Sequence, residues 1–170
     1  MLQPDVYWLR EVEGVRLAIM PRPRSGEWLA DEIAGYQRLG VQTVVSLLES
    51  SEAKELDLVN EESLCRAASL QFLSFPIADR GVPNNSVEFA KFVESIALRL
   101  RSGDSVAIHC RAGIGRSGLL AACLLGTFGV DPDSAFTMLG RARGVAVPDT
   151  DAQAAWVRHY LRNKLVPTNS

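Results

Sequence analysis

The chain has 170 residues, a length that suits one folded domain, and we expect residues 1–170 to form a single domain. Hydrophobic residues make up 47% of the chain and charged residues 22%, the balance of a globular protein that can bury a core. The formal net charge of -2 excludes a general electrostatic attraction to nucleic acid or to an anionic membrane surface.

Targeting signals and disulfides are also disfavoured by the sequence. The N-terminal stretch carries charges early, and no run approaches the roughly 20 apolar residues that span a bilayer. We therefore expect a cytoplasmic protein that does not associate with membranes. The three cysteines, Cys65, Cys110 and Cys123, are too few and too odd in number for a disulfide framework. A reduced compartment and a single reactive thiol fit this count.

The first predicted elements are two short apolar runs at residues 6–9 and 15–20, separated by a charged stretch, which predict a β-hairpin. A helix is predicted over residues 28–39, ending at a glycine. Residues 41–48 are rich in Val and Leu and apolar on both faces, as in a buried strand of a parallel sheet.

The middle of the chain continues this alternation. A helix is predicted over residues 61–68, with Asn60 as its cap, and a strand over 71–77. The clearest helix covers residues 86–101, because its apolar residues recur at spacings of three and four.

A short strand at residues 105–109 follows, and then helices at about 116–128, 132–143 and 150–164, with Pro132 in a favoured first-turn position. Alternating strands and helices predict an α/β fold: a central, mainly parallel sheet of about five strands, flanked by helices on both faces. Active sites of such sheets lie beyond the carboxyl ends of the strands.

The segment after residue 108 carries the chemistry and reads HCRAGIGRSG from position 109. A strand ends at Cys110, and five residues separate this cysteine from Arg116, which opens a helix. Two glycines between them let backbone N–H groups turn inward and cradle an anion, and the helix adds its positive end. We expect the guanidinium of Arg116 to hold a phosphate bidentately and the same field to favour the thiolate of Cys110, the predicted nucleophile.

These residues match the protein-tyrosine phosphatase signature HC-x5-R-[ST]. The chain resembles the dual-specificity phosphatases, in the branch of the cyclin-dependent kinase inhibitor-associated phosphatase and its bacterial relatives, through FPIADRGVP (75–83), the loop itself and AACLL (121–125). The resemblance covers residues 40–160. It implies the phosphotyrosine protein phosphatase-like fold and hydrolysis of phosphoproteins through a cysteinyl-phosphate, with no cofactor. The predicted phosphate- and substrate-binding residues are His109, Arg111, Ala112, Gly113, Ile114, Gly115 and Gln153.

A thiol–phosphate reaction needs a proton donor for the departing oxygen. Asp79 follows a predicted strand and therefore lies at the same sheet edge as Cys110. Asp104 precedes the strand that leads to the cysteine, which places it about 15 Å away at ~3.3 Å per residue. We favour Asp79 as the general acid, and Glu49 and Asp149 are the alternatives.

The resemblance implies further roles in the site. Ser117 would donate a hydrogen bond to Cys110 and help it leave as a thiolate, and Gln153 would correspond to a glutamine that positions the hydrolytic water. A plain surface glutamine is the alternative for Gln153. We expect His109 to fix the loop by hydrogen bonds rather than to act as a base. With two histidines in the chain and no metal-like spacing, no metal is predicted.

The substrate class is narrowed by what the loop lacks. Tyrosine-only phosphatases resembling this loop carry an added loop that deepens the pocket, and nothing here suggests it. A shallower pocket could accept phosphotyrosine and also phosphoserine or phosphothreonine. Residues 111–115 contain no lysine, which argues against an inositol lipid, although a non-protein phosphate ester or phosphoinositide is kept as an alternative. Arg22, Arg24 and Arg80 would either meet an acidic substrate or stay solvated.

Other classes of protein fit the motif less well. A rhodanese-like sulfurtransferase also uses a cysteine in an anion loop, but it lacks the Gly-x-Gly-Arg-Ser helix start and the upstream acid. A non-catalytic phosphoprotein-binding module usually loses the cysteine, the arginine or the acid. A low-molecular-weight tyrosine phosphatase has its cysteine loop at the start of the chain. A redox disulfide between Cys110 and either Cys65 or Cys123 is left open.

Overall fold

A five-stranded sheet forms the centre of the structure, a computed structural model that describes residues 3–165. Its strands are β1 (Tyr7–Trp8), β2 (Arg16–Met20), β3 (Thr43–Ser46), β4 (Gln71–Ser74) and β5 (Ser105–His109). They lie in the order β1-β2-β5-β3-β4, with β1 antiparallel to β2 and the other pairs parallel. The predicted hairpin and the mainly parallel sheet are therefore confirmed.

Helices cover both faces of this sheet. They are α1 (Leu29–Arg38), α2 (Ser50–Glu55), α3 (Glu61–Ala67), α4 (Ser86–Arg101), α5 (Gly115–Gly126), α6 (Pro132–Arg143) and α7 (Asp151–Leu165). A short 3-10 turn, Gly26–Trp28, leads into α1. Within residues 3–165, none of these helices is both long and apolar enough to cross a bilayer.

The alternation of strand side chains divides the core in two. Leu17 and Ile19 of β2 pack with the apolar residues of α4, α5 and α7, whereas Ala18 and Met20 pack with those of α1 and α3. This split follows from the two-residue period of a strand, and it confirms the prediction of helices on both faces.

The carboxyl ends of the parallel strands meet at one edge of the sheet. Met20 and Ser46 both pair with His109, and Ser46 pairs with Ser74 on its other side. The loops that follow these four residues therefore start side by side. One of them is the HCRAGIGRSG segment, so the fold brings the other three loops around it.

Three details differ from the predictions. The short helix α2 was not predicted, because its six residues are too few to show a helical period. The strand predicted over 71–77 ends at Ser74, although the N–H groups of Phe75 and Ile77 still donate to β3 and its extension. Asn60 stands at the start of α3, but its side chain makes no capping bond.

Helix α5 is buried from Gly115 to Leu125 because α4, α6 and α7 cover the faces that the sheet does not. Its sequence is apolar almost all round, as this position requires. Near its end, Gly126 lies against the side chain of Leu161 from α7, and a Cβ at this glycine would overlap that side chain.

We expect Gly126→Ala to lower the free energy of unfolding by about 1–3 kcal/mol, the usual cost of overpacking a core. Chemical denaturation with urea measures this loss. Leu161→Ala serves as the second arm of a double-mutant cycle. If the overlap is the cause, the double variant is less destabilised than the sum of the two single variants. Strict additivity would contradict the packing explanation.

Candidate active site

The HCRAGIGRSG segment forms a tight loop between β5 and α5. Cys110 follows the last residue of β5 and is buried, with 3% of its surface exposed. Gly113 has a φ of +73°, and a Cβ placed there would collide with the backbone of Met20. The passage of the loop beside the end of β2 therefore requires glycine at this position.

The first carbonyl groups of the loop are held away from the sulfur. Three consecutive carbonyl oxygens each accept a hydrogen bond of 3.1 Å: Cys110 O from Nδ1 of His109, Arg111 O from the backbone N–H of Arg22, and Ala112 O from Nη2 of Arg143. The C=O and N–H groups of a trans peptide point in opposite directions. The N–H groups that share these peptides are therefore turned inward, where an anion can accept from them.

The sulfur of Cys110 lies in a field that favours the thiolate. The hydroxyl of Ser117 donates to Sγ at 3.1 Å. Burial alone would raise the pKa of the thiol. The hydroxyl and N–H of Ser117, the guanidinium of Arg116 and the N–H of Gly113 together outweigh burial and hold the pKa of Cys110 below its usual value.

The other two cysteines have a different environment. Cys65 and Cys123 are free thiols in the core; burial raises the pKa of Cys65 to about 12 and also raises the pKa of Cys123. Cys65 packs in the core on the opposite side of the sheet from Cys110. Cys123 lies six residues beyond Ser117 on α5, about 9 Å along the helix axis. These positions give no support to a disulfide with Cys110.

The guanidinium of Arg116 is held by a carboxylate that the sequence analysis did not identify. Its Nη1 lies 2.6 Å from Oε1 of Glu52 and its Nη2 lies 3.0 Å from Oε2, a bidentate pair. Nη1 also donates to the carbonyl oxygen of Ile77 at 2.8 Å. Burial alone would raise the pKa of Glu52, but the hydrogen bonds from Arg116 and from the N–H of Glu49 hold it below its usual value. The pair is therefore ionised.

Asp79 lies against the same guanidinium. Its Oδ1 accepts a hydrogen bond of 3.1 Å from Nη2 of Arg116, and its side chain is half exposed, at 52%. With Glu52, Ile77 and Asp79 as acceptors, four of the five N–H groups of Arg116 are engaged. The predicted nucleophile, phosphate clamp and acid are thus brought together.

The loop that carries Asp79 is tied to the start of α7. Nη1 of Arg80 lies 3.2 Å from Oδ2 of Asp149, and Nε2 of Gln153 donates to the carbonyl oxygen of Gly81 at 3.1 Å. Oε1 of Gln153 accepts from the N–H of Thr150 at 3.2 Å, which closes a capping box. Gln153 is fully buried, so the alternative of a surface glutamine is wrong.

The two alternative acids occupy different surroundings. Glu49 precedes α2, and its N–H donates to Oε1 of Glu52 at 3.2 Å. Asp149 is at the rim beside Gly115, because a Cβ on that glycine would lie 2.9 Å from the Cβ of Asp149. Asp149 faces Arg80, whereas Asp79 faces the guanidinium of Arg116 directly. This difference favours Asp79 over Asp149 as the acid to test first.

A second buried ion pair lies behind the loop. Nε2 of His109 lies 2.8 Å and 2.7 Å from the two carboxylate oxygens of Glu61, and both residues are buried. Burial alone would lower the pKa of His109, but the carboxylate of Glu61 outweighs it and holds the pKa above its usual value. The resulting imidazolium donates its Nδ1–H to the carbonyl oxygen of Cys110, as expected for a residue that fixes the loop.

The arginines at the rim are mostly paired. Arg24 lies 3.2 Å from Glu32 and Arg80 lies 3.2 Å from Asp149, and both arginine side chains remain exposed to solvent, at 40% and 63%. The side chain of Arg22 donates within its own loop, at 3.3 Å to the carbonyl oxygen of Pro23. Arg111 of the loop extends to Glu52 and Glu55, each at 3.5 Å.

Glu52, Glu61 and Arg143 are the site residues that the sequence analysis missed. A buried arginine requires an acidic partner, so the sequence could have prompted a search for one. Neither Glu52 nor Glu61 differs in its local pattern from the many exposed glutamates of the chain. Among residues 3–165, no group of three or more metal-binding side chains lies close enough to hold an ion.

Comparison with known proteins agrees with this geometry. The model of the family described as "PTP-SAK: Swiss Army Knife protein, DSP-PTPase phosphatase domain" matches residues 7–168. The chain belongs to this phosphatase-domain family. The HCRAGIGRSG segment and the loop that carries Asp79 both lie within the matched region.

Two individual relatives share 29–34% sequence identity with this chain over the aligned residues. Protein 197R of Invertebrate iridescent virus 6, a candidate tyrosine phosphatase, is 34% identical over 151 residues, 83% of this chain and 54% of its own length. Human cyclin-dependent kinase inhibitor 3 is 29% identical over 128 residues, 74% of this chain and 59% of its own length. The chain thus spans little more than half the length of these relatives.

The fold is shared with a solved structure. The crystal structure of kinase-associated phosphatase, with its catalytic-site cysteine replaced by serine, superposes with a TM-score of 0.85 at 23% identity. The superposition covers 97% of each chain. At this level of identity the similarity shows the fold alone, and it confirms the α/β architecture expected from the resemblance.

We expect Glu61→Gln to lower the pKa of His109, because burial is then no longer opposed by a carboxylate. NMR titration of the imidazole signals measures this shift. His159 gives the only other histidine signal of the chain, and His159→Gln assigns the two. An unchanged pKa of His109 would contradict the assignment of Glu61 as its charge partner.

The same pair makes stability depend on pH. The pKa of His109 is higher in the folded state, so the contribution of its protonation to stability is complete below the unfolded value of about 6.5. That contribution is lost as the pH rises through the raised pKa. Urea unfolding of the wild type should show this loss, and Glu61→Gln should reduce it.

Proposed function

We propose that the chain is a phosphatase that hydrolyses phosphate monoesters on phosphoproteins, with phosphotyrosine as the principal substrate. The observation that carries the proposal is the meeting of three groups at the carboxyl edge of the sheet. These are the activated sulfur of Cys110, the guanidinium of Arg116 and the half-exposed carboxyl of Asp79. Membership of the phosphatase-domain family supports it.

In the first step, the thiolate of Cys110 attacks phosphorus in line with the leaving oxygen. The S–P bond forms and the P–O bond to the substrate breaks, while the inward N–H groups and Arg116 stabilise the equatorial oxygens. Asp79, protonated at this stage, gives its proton to the leaving oxygen. The product is the dephosphorylated side chain, and phosphate remains on the sulfur.

In the second step, water attacks the cysteinyl-phosphate. Asp79 takes a proton from the water as the O–P bond forms and the S–P bond breaks. The sulfur leaves as a thiolate, which the hydroxyl of Ser117 stabilises through its hydrogen bond to Sγ. Inorganic phosphate is released and the starting protonation states return.

Phosphate entry and the position of Asp79 are linked through Arg116. The guanidinium has one N–H that is not engaged by Glu52, Ile77 or Asp79, so a bidentate contact with phosphate needs a second one. Glu52 is buried and Asp79 is half exposed, so the hydrogen bond from Arg116 to Asp79 breaks more easily than the bonds to Glu52. Substrate therefore displaces Asp79 from Nη2 and frees it to approach the leaving oxygen.

Phosphotyrosine in a protein is favoured for two reasons. The viral relative is a candidate tyrosine phosphatase. The loop residues 111–115 hold one arginine and no lysine, and Arg111 is already paired with Glu52 and Glu55. A highly phosphorylated inositol head group would meet few unpaired cations there, which favours a protein substrate.

A panel of phosphopeptides carrying phosphotyrosine, phosphoserine or phosphothreonine tests the function. We expect phosphate release from the phosphotyrosine peptide, inhibition by vanadate, and a labelled phosphate trapped on Cys110 after acid quenching. Cys110→Ser should abolish release while retaining binding of inorganic phosphate in calorimetry.

Three outcomes would contradict the proposal. Phosphate release by Cys110→Ser at the wild-type rate would show that Cys110 is not the nucleophile. Hydrolysis of inositol phospholipids in preference to every peptide would change the substrate class. Sulfur transfer from thiosulfate to cyanide without phosphatase activity would favour the rhodanese alternative.

We expect Asp79→Asn to lower turnover by about 100-fold or more, since general acid–base catalysis contributes on that scale. The loss should be larger for phenyl phosphate than for p-nitrophenyl phosphate, because the poorer leaving group needs the proton more. The same variant should bind inorganic phosphate more tightly, because Nη2 of Arg116 is no longer shared with a carboxylate.

Asp149→Asn and Glu49→Gln are the matched controls. Each removes one carboxylate at the same edge of the sheet without removing the contact between Asp79 and Arg116. We expect both to keep turnover within a few-fold of the wild type. A greater loss in either of them than in Asp79→Asn would transfer the acid role to that residue.

A further inference from the structure

We propose that Arg143 is a positioning residue that holds the Ala112–Gly113 peptide of the loop in the orientation that binds an anion. This inference deepens the proposed function and rests on it. Arg143 is the last residue of α6, and its Nη2 donates to the carbonyl oxygen of Ala112 at 3.1 Å. It is remote from the motif in sequence, since the two bonded positions are 31 residues apart.

The bond matters because of the geometry of the peptide. The carbonyl of Ala112 and the N–H of Gly113 belong to one planar trans unit and point in opposite directions. Holding the carbonyl toward Arg143 therefore turns the N–H of Gly113 toward the sulfur of Cys110. That N–H is one of the groups that favour the thiolate. Rotation of the peptide would replace a donor with a carbonyl oxygen, which repels both the thiolate and a phosphate.

The orientation of the Ala112–Gly113 peptide depends on a side chain from a distant part of the chain, whereas the orientations of the two preceding peptides do not. The carbonyl of Arg111 is held by a backbone N–H, and the carbonyl of Cys110 by the adjacent, fully buried His109. The carbonyl of Ala112 is held by an arginine from another element, and Gly113 on its other side lacks the steric restraint of a side chain. Loss of Arg143 is therefore expected to release this peptide first.

Arg143 is itself fixed by an aromatic ring. Its guanidinium carbon lies 4.5 Å from the centre of the ring of Tyr7 in β1, which is a cation–π distance. Its Nε is buried, and among the described residues it has no hydrogen-bond acceptor. The side chain of Arg143 is thus held by the ring of Tyr7 and by the carbonyl group of Ala112. Among the described residues it forms no salt bridge that would explain its position.

The experiment measures the reactivity of Cys110 directly. Wild-type protein and Arg143→Ala are alkylated with iodoacetamide across a range of pH, and the modified thiol is identified by peptide mapping. Cys65 and Cys123 do not compete, because burial raises the pKa of both. We expect the midpoint of Cys110 alkylation to move to higher pH in Arg143→Ala. Calorimetry should show inorganic phosphate binding weakened about tenfold, as for one lost hydrogen bond to a charged group.

Three further variants separate positioning from a general effect on the fold. Tyr7→Phe keeps the ring and should behave as the wild type, whereas Tyr7→Leu should shift the alkylation midpoint in the same direction as Arg143→Ala. Arg141→Ala is the matched control, since Arg141 lies on the same helix but pairs with Glu11 at 3.6 Å. It should leave both readouts unchanged. If Arg143→Ala does not fold, Arg143→Lys is used, and a smaller shift in the same direction is expected.

The outcomes distinguish this inference from the proposed function. If wild type and Arg143 variants have the same alkylation midpoint and the same phosphate affinity, the positioning role is overturned while the phosphatase proposal stands. A fall in melting temperature without either shift also overturns it. If the wild type binds no phosphate and its Cys110 has an ordinary thiol reactivity, both proposals fail together.

Discussion

A guanidinium that is 99% buried is the constraint on which the site depends, because a charge removed from water must be compensated where it lies. In the proposed mechanism, Arg116 has to be deep in the fold to reach a phosphate bound over Cys110. Glu52 provides the compensation, with both of its oxygens bonded to the two terminal nitrogens. The short helix α2 carries this carboxylate, and the bond between Glu52 and the N–H of Glu49 fixes the start of that helix. A six-residue helix thus exists at the place where the guanidinium needs a partner.

The same principle explains the second pair behind the loop. His109 and Glu61 are both buried and each compensates the charge of the other. The buried cations are therefore matched one to one by buried carboxylates. A thiolate on Cys110, or a phosphate dianion above it, must find its stabilisation in dipoles and in the freed N–H groups of Arg116. For the proposed function, the orientation of the loop amides is therefore expected to decide which anions the site binds.

Those amides are oriented from outside the loop. The bonds to the carbonyl groups come from β5 through His109, from the segment after β2 through Arg22, and from the end of α6 through Arg143. The fold places all three donors around one turn of backbone. Asp79, in contrast, is half exposed and bonded to Arg116 by one oxygen, so it can exchange with a ligand while the floor of the site stays in place.

The motif, the parallel sheet and the helices on its two faces could be predicted from the sequence, because each depends on residues that are neighbours along the chain. The HCRAGIGRSG spacing places a sulfur, inward amides and a helix start within ten residues, and the two-residue and 3.6-residue periods mark the strands and the long helices. The placement of Asp79 beside Arg116 also followed from the rule that parallel strands end at one edge.

Glu52, Glu61 and Arg143 were decided only by the tertiary structure. They lie 64, 48 and 31 residues from the groups that they bond. In the sequence a glutamate that compensates a buried charge has the same local pattern as one on the surface, because the difference is burial, and burial is a property of packing between elements rather than of the residue's neighbours along the chain.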